Sequence, residues 1–172
     1  MPRNVEIKAR VEDAADTRRR AAALADGIAE VLVQEDVFLE APRGRWKLRT
    51  FDDGTGELIA YRRPDRDEPA VSEYRIDPVP DSARMRAVLE LACGVRAVVR
   101  KRRELFRAGR TRIHLDRVDA LGDFLELEVV LRADESEADG TAEARFLMER
   151  LGVEPAALVA AAYVDLLEED AR

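Results

Sequence analysis

The sequence predicts an α+β fold in which antiparallel strands close on themselves and helices cover the outside. Three observations predict it. Many short segments alternate with period two and are joined by tight, glycine-bearing turns, which means antiparallel pairing. Four segments with helical spacing interrupt them. The strand faces that do not carry apolar residues carry ions, strand after strand.

The elements follow in order. Val5–Val11 is the first strand. A helix is expected over about Asp13–Ala29, with Asp13 as N-cap and Gly27 near its end. Val31–Leu39, Trp46–Phe51, Glu57–Arg62 and Ser72–Ile76 form a run of strands, with Asp53-Gly54-Thr55-Gly56 supplying a hairpin turn. Asp81–Gly94 is the second helix, with Met85, Val88, Leu89 and Ala92 at helical spacing. Val98–Arg107, Thr111–Val118 and Phe124–Leu131 are three more strands, the first two joined by Ala108-Gly109-Arg110. A helix over about Ala142–Leu151 is stopped by Gly152. A last helix follows Pro155, a favoured first-turn residue, to about Glu168.

The alternation carries the functional signal. In the first strand Val5, Ile7, Ala9 and Val11 oppose Glu6, Lys8 and Arg10. Trp46 and Leu48 oppose Arg45, Lys47 and Arg49. Tyr74 and Ile76 oppose Glu73 and Arg75. Ile113 and Leu115 oppose Arg112, His114 and Asp116, and Leu125, Leu127, Val129 and Leu131 oppose Glu126 and Glu128. One such strand alone reads as a sheet with a wet face. The set reads differently, because four amphipathic helices need an apolar surface. If they cover the outside of a closed sheet, the ionic faces line a cavity. Cations and carboxylates crowded there call for a polyanion and for a metal that joins the carboxylates to it.

Composition sets the limits. With 172 residues the chain suits one domain spanning 1–172. A hydrophobic share of 47% separates it from disordered sequences, and a formal net charge of -7 argues against DNA and anionic membranes as partners. No apolar run is long enough to span a bilayer and no signal-peptide pattern opens the chain, so a cytoplasmic protein is expected. Cys93 is the sole cysteine, which excludes an internal disulfide; it reads as a small core residue, with a reactive thiol as the alternative.

The ordered motifs resemble the CYTH superfamily, the triphosphate tunnel metalloenzymes, over essentially the whole chain. Asn4-Val5-Glu6-Ile7-Lys8 is similar to the family's E-x-E-x-K, with Asn4 in place of the first Glu. Lys47-Leu48-Arg49, Tyr61-Arg62-Arg63-Pro64, Lys101-Arg102-Arg103, Arg112-Ile113-His114-Leu115-Asp116 and Gly122-Asp123-Phe124-Leu125-Glu126-Leu127-Glu128 follow, and Ala162-Tyr163-Val164-Asp165-Leu166-Leu167 resembles the closing helix. Gln34-Glu35-Asp36-Val37-Phe38 is most similar to the class IV adenylyl cyclase-like branch, with Phe38 where many relatives have Tyr.

The resemblance implies an eight-stranded barrel enclosing a tunnel. It implies Glu6, Glu126 and Glu128 as metal carboxylates for Mg²⁺ or Mn²⁺, with Asp116 as a further metal ligand or an orienter of Lys101 and Arg103. It implies Lys8, Lys47, Arg49, Arg62, Lys101, Arg103 and Arg112 as the phosphate cradle. The substrate would be ATP, thiamine triphosphate or inorganic triphosphate. The reaction would be hydrolysis, or cyclisation of ATP to cyclic AMP and pyrophosphate, with Lys8 as a candidate base. A non-catalytic polyphosphate- or nucleotide-binding module is the alternative reading. Cyclase-like relatives are often dimers, which adds a homodimer to the expectations.

Other residues read two ways. His114, the sole histidine, is either a substrate contact or a hydrogen-bonded strand residue. Trp46 and Tyr61 are expected to pack under helices rather than stack on a base. Arg18-Arg19-Arg20 is expected on a solvated helix face. Tyr163 and Asp165 either reach the tunnel mouth or dock their helix.

Overall fold

A computed structural model of the chain describes residues 3–170. It contains strands β1 (Arg3–Arg10), β2 (Glu30–Leu39), β3 (Arg45–Phe51), β4 (Gly56–Arg62), β5 (Ala70–Val79), β6 (Val95–Ala108), β7 (Thr111–Val118) and β8 (Gly122–Leu131). Helices α1 (Ala14–Leu24), α2 (Ser82–Cys93), α3 (Glu137–Leu151) and α4 (Tyr163–Asp170) are interspersed, with a 3₁₀ turn at Pro155–Ala157. The strands close in the order β1-β5-β4-β3-β2-β6-β7-β8, every neighbour antiparallel. This is the expected closed antiparallel eight-stranded barrel with helices on its outside. Closure gives every strand a paired neighbour on both sides, which limits the usual route to edge aggregation.

The apolar core lies outside the barrel, between strands and helices. Ile7, Ile113, Leu125 and Leu127 point outward from β1, β7 and β8 onto Ala21 of α1 and Leu147, Met148 and Leu151 of α3. A second cluster gathers Val99, Val118 and Phe124 around Tyr163 and Val164 of α4, and a third sets Val37, Leu39 and Leu48 under Leu89 of α2. Gly140 lets α3 lie directly on the barrel: a Cβ there would stand 2.6 Å from Leu131 Cδ2 and 2.7 Å from Val5 Cγ2. Cys93 is half-buried beside the third cluster.

Three boundaries differ from the sequence reading, each for a local reason. The first helix ends at Leu24 because the β6–β7 turn captures the chain beyond it. The Asp26 amide donates to the Arg107 carbonyl at 2.8 Å, and Gly109 N donates to Asp26 Oδ2 at 2.6 Å. The third helix begins early, at Glu137, because Ser136 and Asp139 form a reciprocal capping box. The expected continuous last helix is broken. After Pro155–Ala157 the chain is extended through residues 158–162, where Leu158 bridges Ala9 and Val159 N donates to the Lys8 carbonyl at 2.8 Å.

The helices pack on β1, β2, β3, β6, β7 and β8. Strands β4 and β5 turn their ionic faces to water instead: Arg62, Glu73 and Arg75 are exposed. Their inward faces present Ile59, Tyr61, Ser72, Tyr74 and Ile76. The expectation that Glu73 and Arg75 point inward, with Tyr74 and Ile76 under helices, is therefore reversed on β5. No helix of the described chain is long and apolar enough to cross a membrane.

Candidate active site

The barrel encloses a cavity of about 360 Å³. Lys8 from β1, Lys47 and Arg49 from β3, Lys101 and Arg103 from β6 and Arg112 from β7 project into it, as the alternation predicts. Arg62, the seventh expected cradle residue, does not. The β3–β4 register pairs Arg45 with Tyr61, Lys47 with Ile59 and Arg49 with Glu57, which sets the odd-numbered residues of β4 on the tunnel side. The even-numbered Arg62 is consequently outside, and Arg63 enters the tunnel with its side chain only 8% exposed. Tyr61 is likewise a tunnel residue rather than one packed only under a helix, whereas Trp46 does pack against the α2 cluster and donates from Nε1 to the Glu40 carbonyl at 3.1 Å.

Two buried aspartates fix the cradle. Asp36 of β2 accepts from Arg49 Nε at 2.8 Å, Arg49 Nη2 at 3.0 Å and Lys47 Nζ at 2.5 Å. Asp116 of β7 accepts from Lys101 Nζ at 3.0 Å, from Arg103 Nε and Nη2 at 2.6 Å each, and from the Tyr163 hydroxyl at 3.1 Å. Burial opposes ionisation of both, yet the adjacent cations hold both carboxyls well below the usual range. Asp116 is thus an orienter of Lys101 and Arg103. Its two oxygens accept four hydrogen bonds from these groups. Asp36 does the same for β3, a role the sequence reading missed.

The remaining acids face one another. Strand register sets Glu6 opposite Glu128 and Lys8 opposite Glu126 across β1–β8. It sets Arg112 opposite Glu128 and His114 opposite Glu126 across β7–β8. Glu126 accepts from Arg103 Nη2 at 2.6 Å and lies 3.5 Å from Lys8 Nζ, while Glu128 accepts from Arg112 Nε at 2.7 Å. Burial opposes their charge, but these cations and His114 keep both pKa values below normal. Glu6 pairs with Arg63 at 3.5 Å. Burial first, then the charge of Glu128, pushes its pKa up to about 7.

Among the described residues, three buried side chains carry polar atoms without a hydrogen-bond partner: Asn4 Oδ1, Gln34 Oε1 and His114 Nδ1. All three residues line the tunnel. The Nδ1 atom of His114 lies 3.9 Å from Glu126 Oε2 and 3.8 Å from Glu128 Oε1. Burial, then the nearby Arg103 charge, lowers the pKa of His114. An acid set at odds with itself beside unpartnered polar atoms fits a divalent cation.

The C-terminal segment reaches the tunnel at the Lys8 end. Lys8 Nζ donates to the Ala161 carbonyl at 3.0 Å and stands 3.9 Å from the centre of the Tyr163 ring; Arg63 Nη2 donates to the Ala160 carbonyl at 2.7 Å. Burial lowers the Lys8 pKa to about 8, against the pull of Glu126. Asp165 accepts from Arg45 and Arg96 at 2.7 Å each. Tyr163 is therefore a tunnel residue and Asp165 a docking one. The arginine run on α1 pairs with Glu104 and Asp16 at the surface, as expected of a solvated face.

The family model of the CYTH domain matches residues 2–163. The chain belongs to the CYTH family. No functionally curated protein matches its sequence. Solved structures with the same CYTH architecture include the PH1012 protein of Pyrococcus horikoshii OT3, with a TM-score of 0.83 at 24% identity, covering 95% of this chain and 98% of that one. A candidate adenylate cyclase from Vibrio parahaemolyticus gives 0.76 at 19%, covering 96% and 97%. HpAC1 from Hippeastrum, a candidate adenylyl cyclase described as having a dominant triphosphatase activity, gives 0.65 at 17%, covering 97% and 96%. At these identities the likeness is one of fold.

Proposed function

We propose that this CYTH protein is a metal-dependent enzyme acting on a small-molecule triphosphate held in the tunnel. The observation that carries the reading is the pairing of a pre-oriented cationic cradle with an acid cluster inside one cavity. The charge of -7 and the enclosed tunnel favour inorganic triphosphate, thiamine triphosphate or ATP over a nucleic acid.

Lys47, Arg49, Lys101, Arg103 and Arg112 would hold the phosphate chain, with Arg63 in the place expected of Arg62. Arginine suits the task because its planar fork meets two phosphate oxygens. Asp36 and Asp116 keep four of these cations aimed before substrate arrives, so little reorganisation is required in the transition state. Glu6, Glu126 and Glu128 would hold the metal, with Asn4 contributing a neutral oxygen. Bound there, Mg²⁺ or Mn²⁺ would supply charge neutralisation at the phosphoryl oxygens. Lys8, with its pKa near 8, can take a proton from a nucleophile close to neutral pH. Water at the terminal phosphorus releases orthophosphate; the 3′-hydroxyl of ATP at the α-phosphorus gives cyclic AMP and pyrophosphate.

The test is to supply Mg²⁺ or Mn²⁺ with each of the three triphosphates and measure orthophosphate, pyrophosphate and cyclic AMP. Orthophosphate alone supports hydrolysis, and cyclic AMP with equal pyrophosphate supports cyclisation. The missing charge at Asn4 favours a second reading, a polyphosphate- or nucleotide-binding module; tight binding without turnover under either metal would establish it over the enzyme.

A further inference from the structure

His114 is the one buried tunnel residue whose ring nitrogen has no partner while two carboxylates flank it. It descends from β7 between Arg112 and Asp116, and the β7–β8 register fixes it against Glu126. Its side chain is 4% exposed, so water gives it little compensation. An unpaired ring nitrogen in such a place is unfavourable unless something occupies it. The flanking oxygens, Glu126 Oε2 and Glu128 Oε1, lie 3.9 and 3.8 Å away, and one donor atom from each of the three residues falls within 4.8 Å of the others. Two ligands on opposite sides of an ion with bonds of about 2.1 Å stand about 4.2 Å apart. The two separations from Nδ1 are thus within the largest spacing that one ion spans.

We propose that His114 Nδ1 joins Glu126 and Glu128 as a metal ligand, making a mixed nitrogen–oxygen site that takes a first-row transition ion such as Mn²⁺ in preference to Mg²⁺. The chemistry follows from the donor. Mg²⁺ is a hard ion that keeps oxygen ligands, whereas imidazole suits transition ions, with affinity rising from Mn²⁺ towards the later metals. Glu128 Oε2 is engaged by Arg112, which leaves Oε1 as its ligand atom, and Glu126 Oε2 also accepts from Arg103 Nη2 at 2.6 Å, so Glu126 would share that oxygen between the cation and the metal. This proposal rests on the reading that the metal sits at Glu126 and Glu128.

The sequence offers a clean test, because His114 is the sole histidine. Untagged protein is loaded with Mn²⁺ and examined by pulsed electron paramagnetic resonance. The expected result is echo modulation from one nitrogen nucleus, converted to the ¹⁵N pattern when histidine alone is ¹⁵N-labelled. In His114→Gln the modulation disappears and the Mn²⁺ dissociation constant rises by about tenfold or more, while Mg²⁺ binding changes little. The labelling arm requires no mutation and so survives any folding defect of the variant. Bound Mn²⁺ without nitrogen modulation would overturn the histidine ligand and leave the carboxylate site standing. No Mn²⁺ bound, with or without inorganic triphosphate, would overturn both.

Discussion

Asp36 and Asp116 on one side, and Glu6, Glu126 and Glu128 on the other, are carboxylates in the same barrel wall, yet their charges are met unequally. Each aspartate sits beside two cations and is satisfied by them. Glu126 and Glu128 are likewise held by Arg103, Lys8 and Arg112, whereas Glu6, facing Glu128, is pushed up to about 7 by burial and by Glu128. The difference teaches how a charged cavity divides its labour. A saturated acid is a fixed strut that aims its cations. An acid such as Glu6, facing a like charge, is strained without a ligand and gains from a divalent ion. Even the pairing is repeated: Asp36 faces Arg49 across β2–β3, and Asp116 faces Arg103 across β6–β7.

The largest effect should come from removing a strut. Asp116→Asn leaves Lys101 buried without its counter-ion and Arg103 with Glu126 alone, a loss of about 3–5 kcal/mol and a Tm lower by on the order of 10 °C in thermal unfolding. Asp36→Asn should behave alike. A Tm unchanged in both variants would erase the distinction between the two acid sets.

Next in size is the double substitution Glu126→Ala with Glu128→Ala. It should lower metal-dependent turnover of the preferred triphosphate by about 100-fold or more. Full Mn²⁺-dependent turnover in that variant would put the metal elsewhere.

Glu6→Gln should move stability the other way. A Glu6 pKa of about 7 in the folded protein against its ordinary 4.5 means that stability linked to its proton is complete below about pH 4.5 and lost as pH rises through 7. In EDTA at pH 8 the variant should be more stable by on the order of 1–3 kcal/mol, and at pH 4.5 the gain should vanish. Denaturant unfolding at the two pH values decides it. The aspartates have the opposite sign, since their contribution is lost only as pH falls through their lowered pKa values.

The smallest effect separates neighbours. Arg63→Ala should weaken triphosphate binding by about tenfold, the worth of one charged hydrogen bond, and Arg62→Ala by less than about twofold. Equal losses would mean that β4 is phased differently from its register.

That last pair marks where the sequence was legible and where it was not. Period-two alternation identified the strands, and ionic inward faces located Lys8, Lys47, Lys101 and Glu126 correctly in the tunnel. Alternation alone does not say which face is inside, because helix cover decides that, and β4 and β5 have little of it. The signal that places Arg63 was nonetheless present: counting across the Asp53–Gly56 turn from inward Arg49 carries the tunnel face to Glu57, Ile59 and Tyr61. The same phase on β2 runs through Gln34 to Asp36 and Phe38. The extended segment before α4 was not legible. Its alanines favour helix locally, and it is held open by long-range donors, Lys8 and Arg63, to the Ala161 and Ala160 carbonyls.

The central claim is that cradle and acid set form one site joined by a metal. Calorimetric titration of inorganic triphosphate in Mn²⁺ and in EDTA tests it most directly. Mn²⁺ should tighten triphosphate binding by about tenfold or more, and triphosphate should tighten Mn²⁺ binding by the same factor. Equal triphosphate affinity in Mn²⁺ and in EDTA would contradict the account.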